Sequence, residues 1–446
     1  MENLPSSPGR KLTLVPMVAA TCFMVSGGPY GLEELVQGAG YKLAIAILFI
    51  LPAIWALPTG LMVGELSAAI PCVGGFYVWV RRAMGPFWGF QEAWLSLMAS
   101  IFDMGAYPTV AVLYLGRVWP QATQGNNGLM IGAAILLACL LWNLFGARAV
   151  GDGSILMGAL LMSPFLVITI FAIVHHFGTP ISLAGASAPA GKSDLLAGIL
   201  VAMWNYMGWD NASTVAGEVE NPQRTYPRVM IIALVVIVLA YVIPVVAVWS
   251  AHVPADAWST GSWATIASTV ARPWLGLAVV IGALVSTAGI LNSLTMSYSR
   301  LPLAMAEDGY LPKAFAWKLQ SGAPWFSIVV CTLAWTLSLK LSFDRLIMLD
   351  ILLYGASLVL EFVALVVLRI REPNLPRPFK VPGGLPVAIL LGVGPTALLF
   401  VALIKNRTEH VGNISTLTLG AAMAAAGVVC YFIVAAMRKP PETVAD

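Results

Sequence analysis

Apolar stretches of about twenty residues follow one another from Thr13 to Met437, separated only by short polar connections. Each is long enough to cross the hydrocarbon of a bilayer as a helix. No water reaches backbone N–H and C=O groups there, so each segment must satisfy them internally, and such stretches are read as helices. Hydrophobic residues make up 59% of the 446 and charged ones 10%, which excludes an ordinary soluble mixture. The chain is predicted to be an all-α, multi-pass integral membrane protein that has the lipid bilayer as its surroundings. Twelve spans are expected, at 13–37, 42–70, 86–118, 128–147, 150–177, 194–217, 226–250, 263–299, 325–342, 346–369, 385–405 and 414–437. The connection from Arg300 to Pro324 is too short to fold alone. The first apolar stretch is too long for a signal peptide and is expected to stay as a helix.

Within the first span the run Ser26-Gly27-Gly28-Pro29-Tyr30-Gly31-Leu32-Glu33-Glu34 interrupts an otherwise helix-compatible sequence. Glycine loosens a helix, and proline removes an N–H and clashes with the preceding turn. Unpaired backbone at membrane depth is tolerated where it lines a cavity or binds something. Glycine and proline are also simply commoner in membrane helices than in soluble ones. A second interruption, Trp204-Asn205-Tyr206-Met207-Gly208-Trp209-Asp210, comes roughly 180 residues later. Broken helices in corresponding positions of two halves point to a transporter's binding site. With breaks in spans 1 and 6, the chain divides into a first repeat over 13–178 and a second over 194–369. Five spans per repeat invert one relative to the other, and 385–437 adds two C-terminal helices. This is a five-plus-five inverted repeat.

An even number of spans puts the arm at 1–12 and the tail at 438–446 on one side. If that side is cytoplasmic, inner segments hold sixteen of the 24 Lys and Arg and outer segments eight. The positive-inside rule then places both termini in the cytoplasm. The net charge of +3 is too small to point to nucleic acid. The five cysteines show no metal spacing, and no disulfide framework is implied.

Ionisable residues at membrane depth are costly and count as site candidates. Asp103 lies mid-span, eleven residues and about 16 Å beyond Glu92. It reads as a counter-charge for an amine, a proton carrier, or a buried carboxyl bonded to a neighbouring helix. Asp210 comes directly after the second break, where it serves the same cavity or caps the next helical turn. These two are the candidate proton-coupling residues. Substrate-binding candidates are Ser26, Gly27, Gly28, Asp103, Trp204, Asn205 and Asp210. Trp204 is too deep for the interfacial belt and suits a lid that stacks on a cation, or packing against a helix. Glu65 and Glu218 are read as gate or loop-anchoring residues that pair with basic inner loops. Glu33 and Glu34, near the outer mouth, read as cation-attracting or as solvated end charges, and Glu92 as an interfacial charge. Glu361 is deep and carries no assigned role.

The run Gly64-Glu65-Leu66-Ser67-Ala68-Ala69-Ile70-Pro71-Cys72-Val73-Gly74-Gly75-Phe76-Tyr77-Val78-Trp79-Val80, continuing through Arg81-Arg82-Ala83-Met84-Gly85-Pro86-Phe87-Trp88-Gly89-Phe90, resembles a signature of the amino acid–polyamine–organocation (APC) superfamily. Gly217-Glu218-Val219-Glu220-Asn221-Pro222 and Ala306-Glu307-Asp308-Gly309-Tyr310-Leu311-Pro312 resemble it too. The first break, with Phe87-Trp88-Gly89-Phe90-Gln91-Glu92, Asp103, Tyr107-Pro108 and Trp209-Asp210-Asn211-Ala212-Ser213, is most similar to the polyamine-uptake and L-type amino acid transporter branch. The resemblance implies the LeuT-like inverted-repeat fold, alternating access and proton-coupled uptake. It also implies that Trp204 is the aromatic gate and that the first break holds the substrate head group. Plant members carry further carboxylates in the eighth span, where this chain reads Gly289-Ile290-Leu291-Asn292-Ser293-Leu294. Some proton-linked relatives use a fifth-span lysine, which is missing here, so a coupled proton would need Asp103 or Asp210. The third-to-fourth loop lacks the cysteine by which some relatives hold a disulfide-linked subunit, and none is expected.

The expected function is import of a polyamine or cationic amino acid across the plasma (inner) membrane. The alternative is symport or exchange of a neutral amino acid, and a sodium-coupled form would draw on Ser286 and Thr287. No HExxH, P-loop, nucleophile elbow or His/Cys cluster occurs, so the chain is expected not to be an enzyme. Neither a metal nor a cofactor is expected.

Overall fold

The computed structural model describes residues 11–176, 186–187, 195–407, 410–411 and 414–437. The arm up to Arg10, the tail from Arg438, and the expected limits at 177, 178 and 194 lie outside the described residues. Among the described residues sixteen α-helices occur in order: α1 (Leu14–Val25), α2 (Glu33–Leu51), α3 (Leu57–Ala69), α4 (Gly75–Met84), α5 (Pro86–Gly116) and α6 (Asn127–Asn143). Then come α7 (Ala147–His176), α8 (Leu195–Asn205), α9 (Pro222–Ser250), α10 (Trp263–Val270) and α11 (Pro273–Tyr298). The last are α12 (Arg300–Glu307), α13 (Trp325–Thr336), α14 (Phe343–Arg371), α15 (Gly384–Asn406) and α16 (Thr416–Met437). A two-residue hairpin, His410–Val411 with Ile414–Ser415, precedes α16.

Eight of the described helical stretches are long and apolar enough to cross a membrane, among them Glu33–Ala69, Pro86–Gly116 and Pro222–Ser250. Shorter apolar helices are Leu14–Val25, Asn127–Asn143 and Trp325–Lys340. Several starts are set by proline at the first helical position, where the missing N–H costs nothing: Pro86, Pro222 and Pro273. Pro222 moves the start of α9 four residues ahead of the expected 226. Large apolar side chains such as Leu137, Leu156, Val235, Leu277 and Phe400 point outward, as the surface facing lipid requires.

The first and sixth spans are interrupted where the sequence leads one to expect it, and the eighth is interrupted where it does not. The first does not run through to residue 37: α1 stops at Val25 and helix resumes at Glu33. Gly40, at φ 72° and ψ 167°, turns the path again, so 33–39 is a short arm before the long crossing. The sixth is helical only to Asn205, and its second half is 3-10 turns at Asp210–Thr214 and Ala216–Glu218. The eighth splits at Ala271 and Arg272, because Pro273 starts a new helix and leaves α10 as a separate short element.

Helices gain little from hydrophobicity among themselves in lipid, so close packing and hydrogen bonds hold the bundle together. α5 and α14 pack along their length, α11 lies on α7, and α3 lies on α9. α15 and α16 are peripheral, with only 17% and 11% of their most apolar stretches buried. The core therefore surrounds the two breaks.

Candidate substrate site between the two broken segments

Each break is held open by residues from other elements. In the first, Ser26 Oγ accepts the Gly28 N–H at 3.0 Å. The Gly27 carbonyl accepts Ser286 Oγ from α11 at 2.6 Å, and the Pro29 carbonyl accepts Trp263 Nε1 from α10 at 2.9 Å. Tyr30 donates its hydroxyl to the Val279 carbonyl at 2.7 Å. Gly28 and Gly31 sit at φ 76° and 88°, left-handed values that side chains disfavour. The second break ends α8 at Asn205, whose carbonyl accepts Tyr241 Oη at 2.6 Å and whose Nδ2 donates to the Val201 carbonyl at 2.9 Å. Gly208, at φ 88°, gives its N–H to Tyr354 Oη at 3.1 Å.

Between the breaks lies a small cavity of about 30 Å³, lined by Val25, Gly27, Tyr30, Gly31, Tyr107, Val110, Trp204, Asn205, Ala283, Ser286, Thr287 and Ile290. Trp204 stacks on Tyr107 with ring centroids 5.4 Å apart and meets Phe343 edge-on at 5.5 Å. Behind Tyr107 is Asp103, buried, which accepts Tyr107 Oη at 2.7 Å and Tyr298 Oη at 3.3 Å. Asp103 thus meets the cavity through the Tyr107 hydroxyl. The hydroxyls of Ser286 and Thr287 donate to the carbonyls of Gly27 and Tyr107, the latter at 3.3 Å.

Of the sequence candidates, Gly27, Trp204 and Asn205 line the cavity, and Ser26 and Gly28 shape its wall. The Gly28 N–H is already taken by Ser26, so it is not free for a carboxylate as a half-helix end would be. Asp210 does not line this cavity: it faces α14 and accepts the Tyr354 hydroxyl. Glu65 is buried and takes Arg369 in a two-point pair at 2.9 and 2.5 Å, with the Val381 N–H at 2.7 Å. Glu218 pairs with Arg300 at 2.9 and 3.1 Å, and its carbonyl accepts the Leu12 N–H at 2.9 Å.

Two acids differ from their sequence readings. Glu33 is fully buried rather than solvated, and accepts the Gly31 N–H at 2.7 Å, the Gly261 N–H at 3.2 Å and the Tyr114 hydroxyl. The loop before α10 closes over it, with Gly261 bonded to Glu33 and the Thr260 hydroxyl donating to Glu34 at 2.7 Å. Glu92 is also fully buried, because α4, α14 and α16 pack around the start of α5. Asp350, Tyr298 and Tyr354 carry no role in the sequence reading, and Tyr107 enters it only as part of a motif. Sequence offers little for Asp350, which is only the fifth residue of the expected 346–369 span, four residues before Tyr354 and eleven before Glu361.

Residues 18–437 match the sequence profile of the family described as Amino acid permease. The chain belongs to that family, within the APC superfamily. It is 33% identical to Polyamine transporter RMV1 of Arabidopsis thaliana over 87% of this chain and 79% of that protein. It is 33% identical to Polyamine transporter PUT1 of Oryza sativa subsp. japonica over 94% and 77%. The Serine/threonine exchanger SteT of Bacillus subtilis (strain 168) is 27% identical over 83% and 84%. Among solved structures, MhsT in complex with L-phenylalanine covers 89% of this chain and 99% of its own at a TM-score of 0.61. At 14% identity that likeness shows a shared fold and nothing of the cargo. The chain is thus a multi-pass membrane permease of the amine and amino acid class.

Proposed function

We propose that this permease imports small amines, polyamines or cationic amino acids, across the plasma membrane by proton-coupled alternating access. One assembly carries the reading: a cavity between two broken helices, roofed by Trp204 on Tyr107, with Asp103 behind the tyrosine hydroxyl. An ammonium group there lies beside two aromatic rings, with the Asp103 carboxylate one hydroxyl away behind Tyr107, which together favour a cation over a neutral group. The plant relatives named as polyamine transporters support the same cargo class.

The wider reading has twelve spans in a LeuT-like five-plus-five inverted repeat, 13–178 and 194–369, then 385–437, with both termini cytoplasmic. Asp103 and Asp210 are its proton-coupling candidates, and Glu65 and Glu218 anchor the inner loops around Arg369 and Arg300. The protein works without a cofactor or disulfide-linked subunit and is not an enzyme.

A second reading keeps the fold and carries a neutral amino acid, by symport or exchange. Favouring it, most of the cavity wall is apolar or hydroxyl-bearing, and SteT is named as a serine/threonine exchanger. Sodium coupling through Ser286 and Thr287 belongs to this reading. Reconstituted protein separates the two. With an inward proton gradient and no sodium, labelled putrescine, spermidine or arginine accumulates and serine does not. Accumulation of serine alone, or a requirement for sodium, selects the second reading instead.

A further inference from the structure

The seam between α5 and α14 holds more buried acid than the cavity uses. On α5, Glu92, Ser96, Asp103 and Tyr107 recur at helical spacing and share one face. On α14, Asp350, Tyr354, Ser357 and Glu361 do the same. In each stripe the two acids are eleven residues apart, about 16 Å of helix rise. The helices are antiparallel: Arg82, just ahead of α5, pairs with Glu372, just after α14, at 2.5 Å. Glu92 and Glu361 therefore lie nearer that end, and Asp103 and Asp350 farther from it. Asp210, in the second break, lies within electrostatic reach of all four.

All five side chains are buried, Asp350 at 1% exposure and Glu361 at 0%. Among the described residues, neither oxygen of Asp350 or Glu361 has a hydrogen-bond partner, and neither does Oε2 of Glu92. The groups facing the five acids are one another, the hydroxyls of Tyr107, Tyr298 and Tyr354, and Ser96 on Glu92. None of the ion pairs among the described residues involves any of the five. Burying several like charges along one seam with no cation beside them is costly, and taking up protons relieves that cost. Neither Asp350 nor Glu361 lines the cavity, so a bulky amine in it does not reach them.

We infer that this seam conducts protons between the cavity beneath Trp204 and the Arg82–Glu372 end of the membrane, with Asp350 and Glu361 as holding sites. The inference rests on the proton-coupled reading above and adds the route. Asp350 and Glu361 touch no other acid, so each transfer passes over a bridging water: the donor carboxyl O–H breaks, the water takes that proton and gives one of its own to the next carboxylate, from Asp103 through Asp350, Asp210 and Glu361 to Glu92. One proton leaves to water for each one taken up at Asp103, and no electrons move.

The test uses full-length protein in liposomes loaded with a pH-sensitive dye and given putrescine, spermidine, arginine or serine. Asp350→Asn and Glu361→Gln are expected to retain exchange of labelled solute at equal pH. Solute-driven proton entry and gradient-driven accumulation are expected to fall by about a hundredfold, as for loss of a positioned proton carrier. Asp350→Glu and Glu361→Asp, which keep the acid, are expected to restore much of both, which separates lost proton transfer from misfolding. Full proton entry in both amide variants overturns the route while leaving the coupled reading standing. Absence of solute-driven proton entry in the unaltered protein overturns the coupled reading, and the route with it.

Discussion

Among single residues, the breaks depend on positions where only glycine is comfortable. Gly208 combines φ 88° with a Met24 carbonyl lying where a side chain would begin. A left-handed alanine costs roughly 1–2 kcal/mol before that clash is counted. Gly208→Ala is therefore expected to lower the thermal unfolding midpoint of purified protein and to reduce uptake. An unchanged midpoint with normal uptake would show that the break bends freely around a methyl group. The glycines and Pro29 are legible in the sequence because their chemistry is local. The partners of Gly27, Pro29 and Gly208 are not, since Ser286, Trp263 and Tyr354 arrive from elements far away in the chain. Glu33 reads as near solvent for the same reason: depth along a span says nothing about the loop that folds over it.

Among elements, the loop regions at the Arg-rich end are tied by charge pairs of unequal weight. Glu65 with Arg369 is buried, and Glu65→Gln leaves a buried guanidinium without its counter-charge. Arg82 with Glu372 is half-exposed and joins the end of α4 to the end of α14. The Arg82 hydrogen bond holds the Glu372 carboxyl below its ordinary value. The contact therefore stabilises above the ordinary glutamate range and is lost as pH falls through the lowered value. Solvent screens it, so the effect is small. Arg82→Gln is expected to flatten that acid-side loss in a pH series of unfolding midpoints, and an identical acid limb would assign the loss to other acids. The motif around Glu65 and Arg81-Arg82 is visible in the sequence, but Arg369 as the partner is not. Helix boundaries are legible where proline or glycine sets them, as at Pro86. They are hidden where the second break continues as 3-10 turns, because Asp210-Asn211-Ala212-Ser213-Thr214 has no sequence mark separating it from α-helix.

For the whole molecule, membrane class, family and the two interruptions can be read from the chain alone. Apolar length and glycine–proline punctuation are one-dimensional signals. The α5–α14 seam is hidden because it needs two helices, some 250 residues apart, set in register. Glu92 and Asp103 stand out as one pair, and the matching Asp350 and Glu361 become meaningful only when α14 lies against them. On the proposed reading, the cavity under Trp204 selects a cation through Asp103. A carboxylate and an ammonium about 5 Å apart, on either side of the Tyr107 hydroxyl, interact by about 3 kcal/mol at an effective dielectric of 20. Part of that is offset by desolvation, so Asp103→Asn is expected to weaken binding by at least about tenfold, or roughly 1.4 kcal/mol. The measurement is calorimetric titration of purified protein, unaltered and Asp103→Asn, with putrescine, spermidine and arginine. At least one of these amines is expected to bind the unaltered protein, with a tenfold or greater loss in the variant. Equal affinity in both proteins would contradict selection by Asp103.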